Sequence, residues 1–187
     1  MTQLAQHIET AYNPDRAQAF ADRAAQLIND GAVAVMVSLG HRAGLFDTLA
    51  SLPPSDSHAI ARRAGLAERY VREWLAVLVT GGIVDYDPAT RRYILPAEHA
   101  ACLTRNAALG NLAVYAQHVA LMGQVQDHIL ERFRSGEGTR YEDYPCFHHM
   151  MAEDSGQTVV AQLFEQVLPL VPGLRERLER GIAVLDA

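Results

Sequence analysis

No apolar run in this 187-residue sequence approaches the ~20 residues needed to span a bilayer. The longest candidate, Ala32 to Leu39, is far too short, so no membrane span is expected. The amino terminus, Met1-Thr2-Gln3-Leu4-Ala5, lacks a basic region followed by an apolar stretch, and no secretory signal is visible. Cysteine is scarce. Cys102 and Cys146 stand far apart, at neither metal nor redox spacing. A reduced, cytoplasmic protein is therefore expected. Lysine is missing altogether, so all sixteen basic residues are arginine. The choice of arginine over lysine carries no mechanistic weight here. No Ser-His-Asp, P-loop or Cys-x-x-Cys signature occurs.

What is present is a hydrophobic fraction of 49%, enough for a real core. The formal charge is −6, which disfavours general nucleic-acid binding because phosphate neutralisation needs clustered positive charge. The charge is uneven. From His41 to Arg105 eight arginines face seven acids, giving +1 and leaving −7 for the remainder. The middle of the chain is close to neutral rather than basic.

Pro14-Asp15 opens a helix running to about Ile28, with Phe20, Ala24, Leu27 and Ile28 on one face. Asn29-Asp30-Gly31 then predicts a break, with Asn29 or Asp30 capping a second helix that ends near Gly40. This second helix, Ala32-Val33-Ala34-Val35-Met36-Val37, is apolar all round and must be covered on all sides. One short segment supplies little cover, so a partner subunit is expected.

Next come Leu45 to Leu49 as a short helix, Pro53-Pro54 as its stop, and Ser55-Asp56 capping a helix through Ala64. Gly65-Leu66-Ala67 reads as a turn. A helix from Glu68 to Thr80 buries Val71, Leu75 and Leu78 and stops at Gly81-Gly82. Ile83 to Tyr86 and Arg91 to Leu95 flank the turn Asp87-Pro88-Ala89-Thr90, a strand-turn-strand pattern. Helix, turn, helix, hairpin is the winged-helix order. Beyond Pro96 the spacing of Leu109, Leu112, Ala116, Val119 and Gly123 predicts one long helix over about 106–134. Phe147 to Glu153, Thr158 to Leu170 and Leu174 to Glu179 are expected to be helical. Gly181 then precedes an apolar run, Ile182 to Leu185, and Asp186. The chain reads as mainly α, with units at 1–40, 41–104, 105–180 and 181–187.

Several side chains are candidates for chemistry. On the third helix of the helix-turn-helix, Glu68, Arg69, Arg72 and Glu73 cancel in charge, whereas a DNA reader needs exposed donors there. Arg62, Arg63, Arg91 and Arg92 could touch phosphates; solvated arginines on a packing domain are the plainer reading. Cys146, His148 and His149, with Asp143 close by, do not share one helix face, and no metal is expected. His118 stands among Tyr115, Val119 and Met122 and is a candidate acid, base or substrate contact. Gly136-Glu137-Gly138 follows no strand and reads as a connection, not a phosphate loop.

Blocks spread over the chain resemble bacterial class I S-adenosylmethionine-dependent methyltransferases with an N-terminal winged-helix domain. They are Tyr70-Val71-Arg72-Glu73-Trp74-Leu75, Val79 to Val84, Tyr86 to Thr90 and Leu95 to Ala100. Phe147-His148, Met150 to Glu153 and Leu168 to Leu174 are similar to that family's linker, and Gly181 to Asp186 to the first strand of its Rossmann-like domain. The resemblance implies that the glycine-rich cofactor turn would follow Asp186. It also implies a homodimer through the winged helix at 41–104, to which the apolar pattern of 1–40 adds a second expected dimer contact, and a helical cap over the acceptor pocket at 105–180. Tyr115, His118, Met122, Phe147, His148 and Met151 are the implied substrate contacts. The expectation is the N-terminal part of a truncated methyltransferase for a small organic acceptor. S-adenosylmethionine is the cofactor of the parent family, but this chain alone is expected to bind none and to be inactive. Catalytic residues are unassigned. A DNA-binding regulator acting through Arg62, Arg63, Arg69, Arg72, Arg91 and Arg92 is the alternative.

Overall fold

In the computed structural model of the chain, which describes residues 12–107 and 110–185, the first element is one unbroken helix, α1 (Pro14–Arg42). Asn13 caps it, its Oδ1 accepting the Arg16 N–H at 3.0 Å. The expected break at Asn29-Asp30-Gly31 does not occur. The Asp30 carboxylate accepts from Gln26 Nε2 at 2.6 Å, one turn back, so it is engaged along the helix instead of capping a new one. Gly31 costs only ~1 kcal/mol mid-helix, less than a second pair of orphaned helix ends. Residues 1–11 of the expected N-terminal unit lie outside the described residues.

The next four elements match the sequence pattern closely: α2 (Leu45–Ala50), α3 (Ser57–Ala64), α4 (Glu68–Thr80) and a hairpin of β1 (Asp85–Asp87) with β2 (Arg92–Ile94). Asp56 caps α3 through the Ala59 N–H at 2.7 Å, and Gly65 ends it at φ 69°, a left-handed position that glycine occupies without strain. The strands are shorter than expected. Ile83 and Val84 direct their N–H groups to the Leu78 carbonyl instead of a ladder. The antiparallel register pairs Tyr86 with Tyr93, and Ser55 adds a bridge on the outer side of Tyr93.

Phe46, Ile60, Leu75, Leu78 and Val84 are buried at the centre of these elements, with Trp74 beside them. α1 closes one side of this core. The Trp74 Nε1–H donates to the Met36 carbonyl at 2.8 Å, and its ring meets Phe46 edge-on at 5.4 Å between centroids. This contact depends on Gly40, where a Cβ would lie 2.4 Å from Trp74 Cζ2.

After α5 (Ala97–Leu103) the long helix α6 (Ala113–Ser135) starts later than the predicted 106. Gly110 sits at φ 87°, outside helical space, and the Asn111 side chain accepts the Ala113 N–H at 3.0 Å, starting the helix there. Leu109, counted in the expected periodicity, lies outside the described residues. α7 (Phe147–Thr158) outlasts its expected end at Glu153. The expected helix 158–170 is a chain of short turns: 3-10 at 160–162, π at 163–167 and 3-10 at 168–170. Pro169 has no N–H to continue an α-helical ladder. α8 (Leu174–Glu179) is as expected. Residues 182–185 pair with no strand among the described residues, and Val184 and Leu185 are exposed. Asp186 and Ala187, the rest of the expected strand, lie outside them. α6 packs along α1, and α7 packs on α6.

Two glycine substitutions on α1 are expected to act oppositely. Gly40→Ala forces the indole out of its seat and lowers the unfolding free energy by about 1–3 kcal/mol. Gly31→Ala, where a Cβ meets nothing within 4 Å, raises it by up to about 1 kcal/mol. Urea unfolding of the two variants checks both. Equal stabilities would refute the close approach at Gly40.

Candidate functional site

A polar cluster joins the end of α1 to α6 and α7. His41 is buried, and its Nε2 lies 2.7 Å from Glu153 Oε1. Because the Asn111 Oδ1 accepts the Ala113 N–H, the Asn111 amide NH2 is left to donate to His41 Nδ1 at 3.3 Å. Nδ1 is thus an acceptor, and the ring proton belongs on Nε2, donated to Glu153. Gln157 holds the Asn111 backbone from both sides, accepting its N–H at 2.9 Å and donating to its carbonyl at 3.3 Å. Arg105 donates to the His41 carbonyl at 2.9 Å and pairs with Asp47. No sequence motif announces this cluster. Its members at 41, 111, 153 and 157 converge only in the fold, and Glu153 with Gln157 gives the single helical spacing among them.

Beside the cluster opens a cavity of about 950 Å³, lined among the described residues by Asn111, Tyr115, Glu153, Gln157 and others. Tyr115 is the one expected substrate contact that reaches it. The Tyr115 hydroxyl donates to Asp154 Oδ1 at 2.7 Å, and this bond holds its ionisation above the ordinary tyrosine range.

The other expected contacts lie along the outer side of α6 and α7. His118 stacks against Tyr115 with ring centroids 6.4 Å apart, and Met122 follows one turn on, 44% exposed. Phe147 and His148 form an edge-on pair at 6.0 Å, with Tyr141 against both. Met151 is 36% exposed on the next turn of α7. The six therefore form two small aromatic groups on adjacent helices, open to solvent in the described residues.

The four-residue group around Cys146 holds no metal geometry: no set of three metal-ligating side chains converges among the described residues. Asp143 turns away to His128, whose Nε2 lies 3.0 Å from its Oδ2, and to the Arg140 N–H at 2.7 Å. The Arg140 N–H, foremost, and His128 hold the Asp143 carboxyl below its usual range.

Comparison with known families matches residues 31–105 to the Rv2258c-like winged helix-turn-helix domain. This segment is a winged helix-turn-helix domain. Sequence comparison with curated proteins finds no match. Among solved structures, human N-acetylserotonin methyltransferase in complex with SAM aligns over 80% of this chain and 44% of its own, at TM-score 0.54 and 15% identity. The mitomycin 7-O-methyltransferase MmcR aligns over 89% and 44%, at TM-score 0.50 and 20% identity. PigF with SAH aligns over 75% and 41%, also at TM-score 0.50 and 20% identity. The chain spans less than half the length of these structures, and at such identities the likeness is one of fold.

Two of the six candidate DNA contacts are engaged within the winged helix. Arg72 lies 3.5 Å from Glu68 on the same helix, and Glu68 also accepts from the Ser57 hydroxyl at 2.7 Å. Arg92 donates to the Pro54 carbonyl at 3.1 Å. Arg62, Arg63, Arg69 and Arg91 are exposed. No described helix is long and apolar enough to cross a membrane.

Two tests follow from this geometry. Asn111→Ala removes a buried amide that serves both His41 and the start of α6, and is expected to cost about 2 kcal/mol in urea unfolding. Stability within 0.5 kcal/mol of the parent (roughly the noise for a surface change) would exclude the cluster as a structural joint. Asp154→Asn is expected to return the Tyr115 ionisation toward its ordinary range. The Asp154 contact favours the protonated phenol, so its contribution to folding is complete below pH 10.0 and is lost as pH rises through the raised value. A tyrosine ring titration followed by NMR, unchanged between the two proteins, would disprove the coupling.

Proposed function

We propose that this chain is the N-terminal dimerisation and substrate-cap region of an S-adenosylmethionine-dependent methyltransferase acting on a small organic acceptor. The observation that carries the proposal is the order of elements. Most of this chain aligns with part of solved methyltransferases, one in complex with SAM. Of the blocks that resemble such enzymes in sequence, those at 70–100 fall on the winged helix and α5, and those at 147–153 on α7.

In this reading the chain divides its work along α1. The N-terminal half of α1 and the outer face of α4 supply dimer contacts. Phe20, Leu27 and Ile28 stand 73%, 53% and 73% exposed there, a stripe that a second copy can bury. The outer sides of α6 and α7 supply part of the acceptor wall through Tyr115, His118, Met122, Phe147, His148 and Met151. Aromatic and methionine side chains suit a flat organic acceptor, and the two histidines give it polar contacts. In this reading the cofactor's site and the methyl transfer belong to the catalytic domain of the parent family.

Light scattering and calorimetry on the chain test this reading together. A homodimer at micromolar concentration is expected, converted to monomer by Phe20→Asp with Leu27→Asp, and no heat of S-adenosylmethionine binding is expected. A monomeric parent chain would refute the dimer contacts. Micromolar S-adenosylmethionine binding would refute the assignment of the cofactor site elsewhere.

A further inference from the structure

The outer surface of α4 sets two charges beside an apolar groove. Arg69 and Glu73 stand four residues apart on one exposed row of the helix. The ion pairs of α4 among the described residues run from Glu68, to His58 and to Arg72, and include neither of them. The groove opens next to this row, between α4 and the end of α1, with a volume of about 580 Å³. Met36, Leu39, Leu66, Trp74 and Val77 line it, and Glu73 stands at its edge. Tyr70 also borders it and is 76% exposed, with Leu39 and Leu66 at 49% and 40%. An exposed apolar centre with charge at its rim has the composition of a protein interface. Ala76 follows on the same outer face, and its small exposed side chain lets a second helix come close.

The order of the two charges identifies what covers this face. A helix that carries a cation and then, one turn on, an anion complements a copy of itself when the two run antiparallel. A parallel copy in register would set arginine against arginine and glutamate against glutamate. A two-fold axis between identical helices produces the antiparallel arrangement, in which each contact is made twice. With the axis crossing between Arg69 and Glu73, Arg69 faces Glu73 of the second copy, and Glu73 faces Arg69 of the second copy. Packed helices lie about 8–10 Å apart between axes, a gap that these two side chains bridge. Tyr70 lies between the two charges in sequence, so each ring stands beside the axis and within reach of the other copy's groove.

We propose that two copies of this chain pair through α4 in antiparallel fashion. Arg69 of each meets Glu73 of the other, and Tyr70 of each enters the other's groove. This pairing rests on the dimer reading above and adds to it the contact that sets the symmetry. The groove lined by Met36 and Leu39 places the end of α1 in the same interface.

The test is the dimerisation of full-length charge variants, measured by sedimentation. Arg69→Glu alone sets two glutamates against each other on both sides of the axis, and Glu73→Arg alone does the same with arginines. Each is expected to raise the dimer Kd at least about tenfold, the effect of like charges placed face to face. An equimolar mixture of the two variants is expected to dimerise with the affinity of the parent, because every facing pair in the mixed dimer is of opposite charge. Ion pairing within one helix cannot give that recovery, since each variant carries two like charges on its own α4. Tyr70→Ala is expected to weaken the parent dimer at least about tenfold, as loss of a seated aromatic anchor does; unchanged affinity would overturn the seating of the ring. A mixture that fails to recover would overturn the pairing. So would a dimer indifferent to both charge variants yet converted to monomer by Phe20→Asp with Leu27→Asp, an outcome that leaves the dimer reading intact. A monomeric parent would overturn both.

Discussion

The rest of the structure depends on one close approach, the seating of Trp74 against the backbone of α1 at Gly40. The indole donates to the Met36 carbonyl, which the helical ladder also offers to the Gly40 N–H. A carbonyl oxygen has two lone pairs, so both donors are served at one point. The missing Cβ at Gly40 is what lets the ring reach that carbonyl. An aromatic side chain of this size buries on the order of 150–250 Å², and here that area joins α4, α2 through Phe46, and α1. Without the seat, α1 would be a long helix with one weakly held end. With it, α1 becomes the common wall of two packed units.

The second unit forms on the other side of the same helix end. His41 follows Gly40 by one residue, so its side chain leaves α1 in a different direction from the Trp74 contact. It meets Glu153 and Asn111, while its carbonyl accepts Arg105. One turn of helix thus carries an apolar contact to the winged helix and a buried polar contact to α6 and α7. Each polar partner is itself held: Asn111 by Gln157 and Ala113, and Glu153 by Gln117. Such a network favours one arrangement, because a slipped one would leave the buried His41 and Asn111 unpaired. The winged helix and the helices after it are therefore joined at α1 by one apolar and one polar contact.

The legible part of the fold is the part governed by local chemistry. Asp56 and Gly65 bound α3, and Gly81-Gly82 ends α4, because caps and left-handed turns are properties of a few adjacent residues. The continuity of α1 was not legible, since Asn29-Asp30-Gly31 satisfies a break pattern and only the Gln26–Asp30 bond shows why it fails. The shape of 158–170 was hidden for a similar reason: its apolar spacing is helical, but Pro169 denies one hydrogen bond and the ladder shifts register around it. The candidate site divides in the same way. Tyr115 and His118 share a helix face and could be read from spacing. Their partner Asp154 lies 39 residues from Tyr115, and His41 lies 70 from Asn111. Such pairings follow from packing, and no local pattern encodes them.

The outer surface of α4 combines paired charge with an exposed apolar groove. A reading helix needs outward donors near its N-terminus, unopposed by acids. On α4 the first residue is Glu68, and it engages Ser57 and the still exposed Arg72. The outward positions that remain include Tyr70, 76% exposed. Beside it an apolar cavity of about 580 Å³ opens between Met36, Leu39, Leu66 and Trp74. A phosphate backbone gains nothing from such a surface, whereas an apolar side chain of another protein surface gains about 25 cal/mol for each Å² buried. Trp74 is therefore shared between two tasks. One face of its helix seats the ring against α1, and the ring's edge helps floor a groove on the outside. The contact that holds the fold together also builds the surface through which the proposed dimer would form.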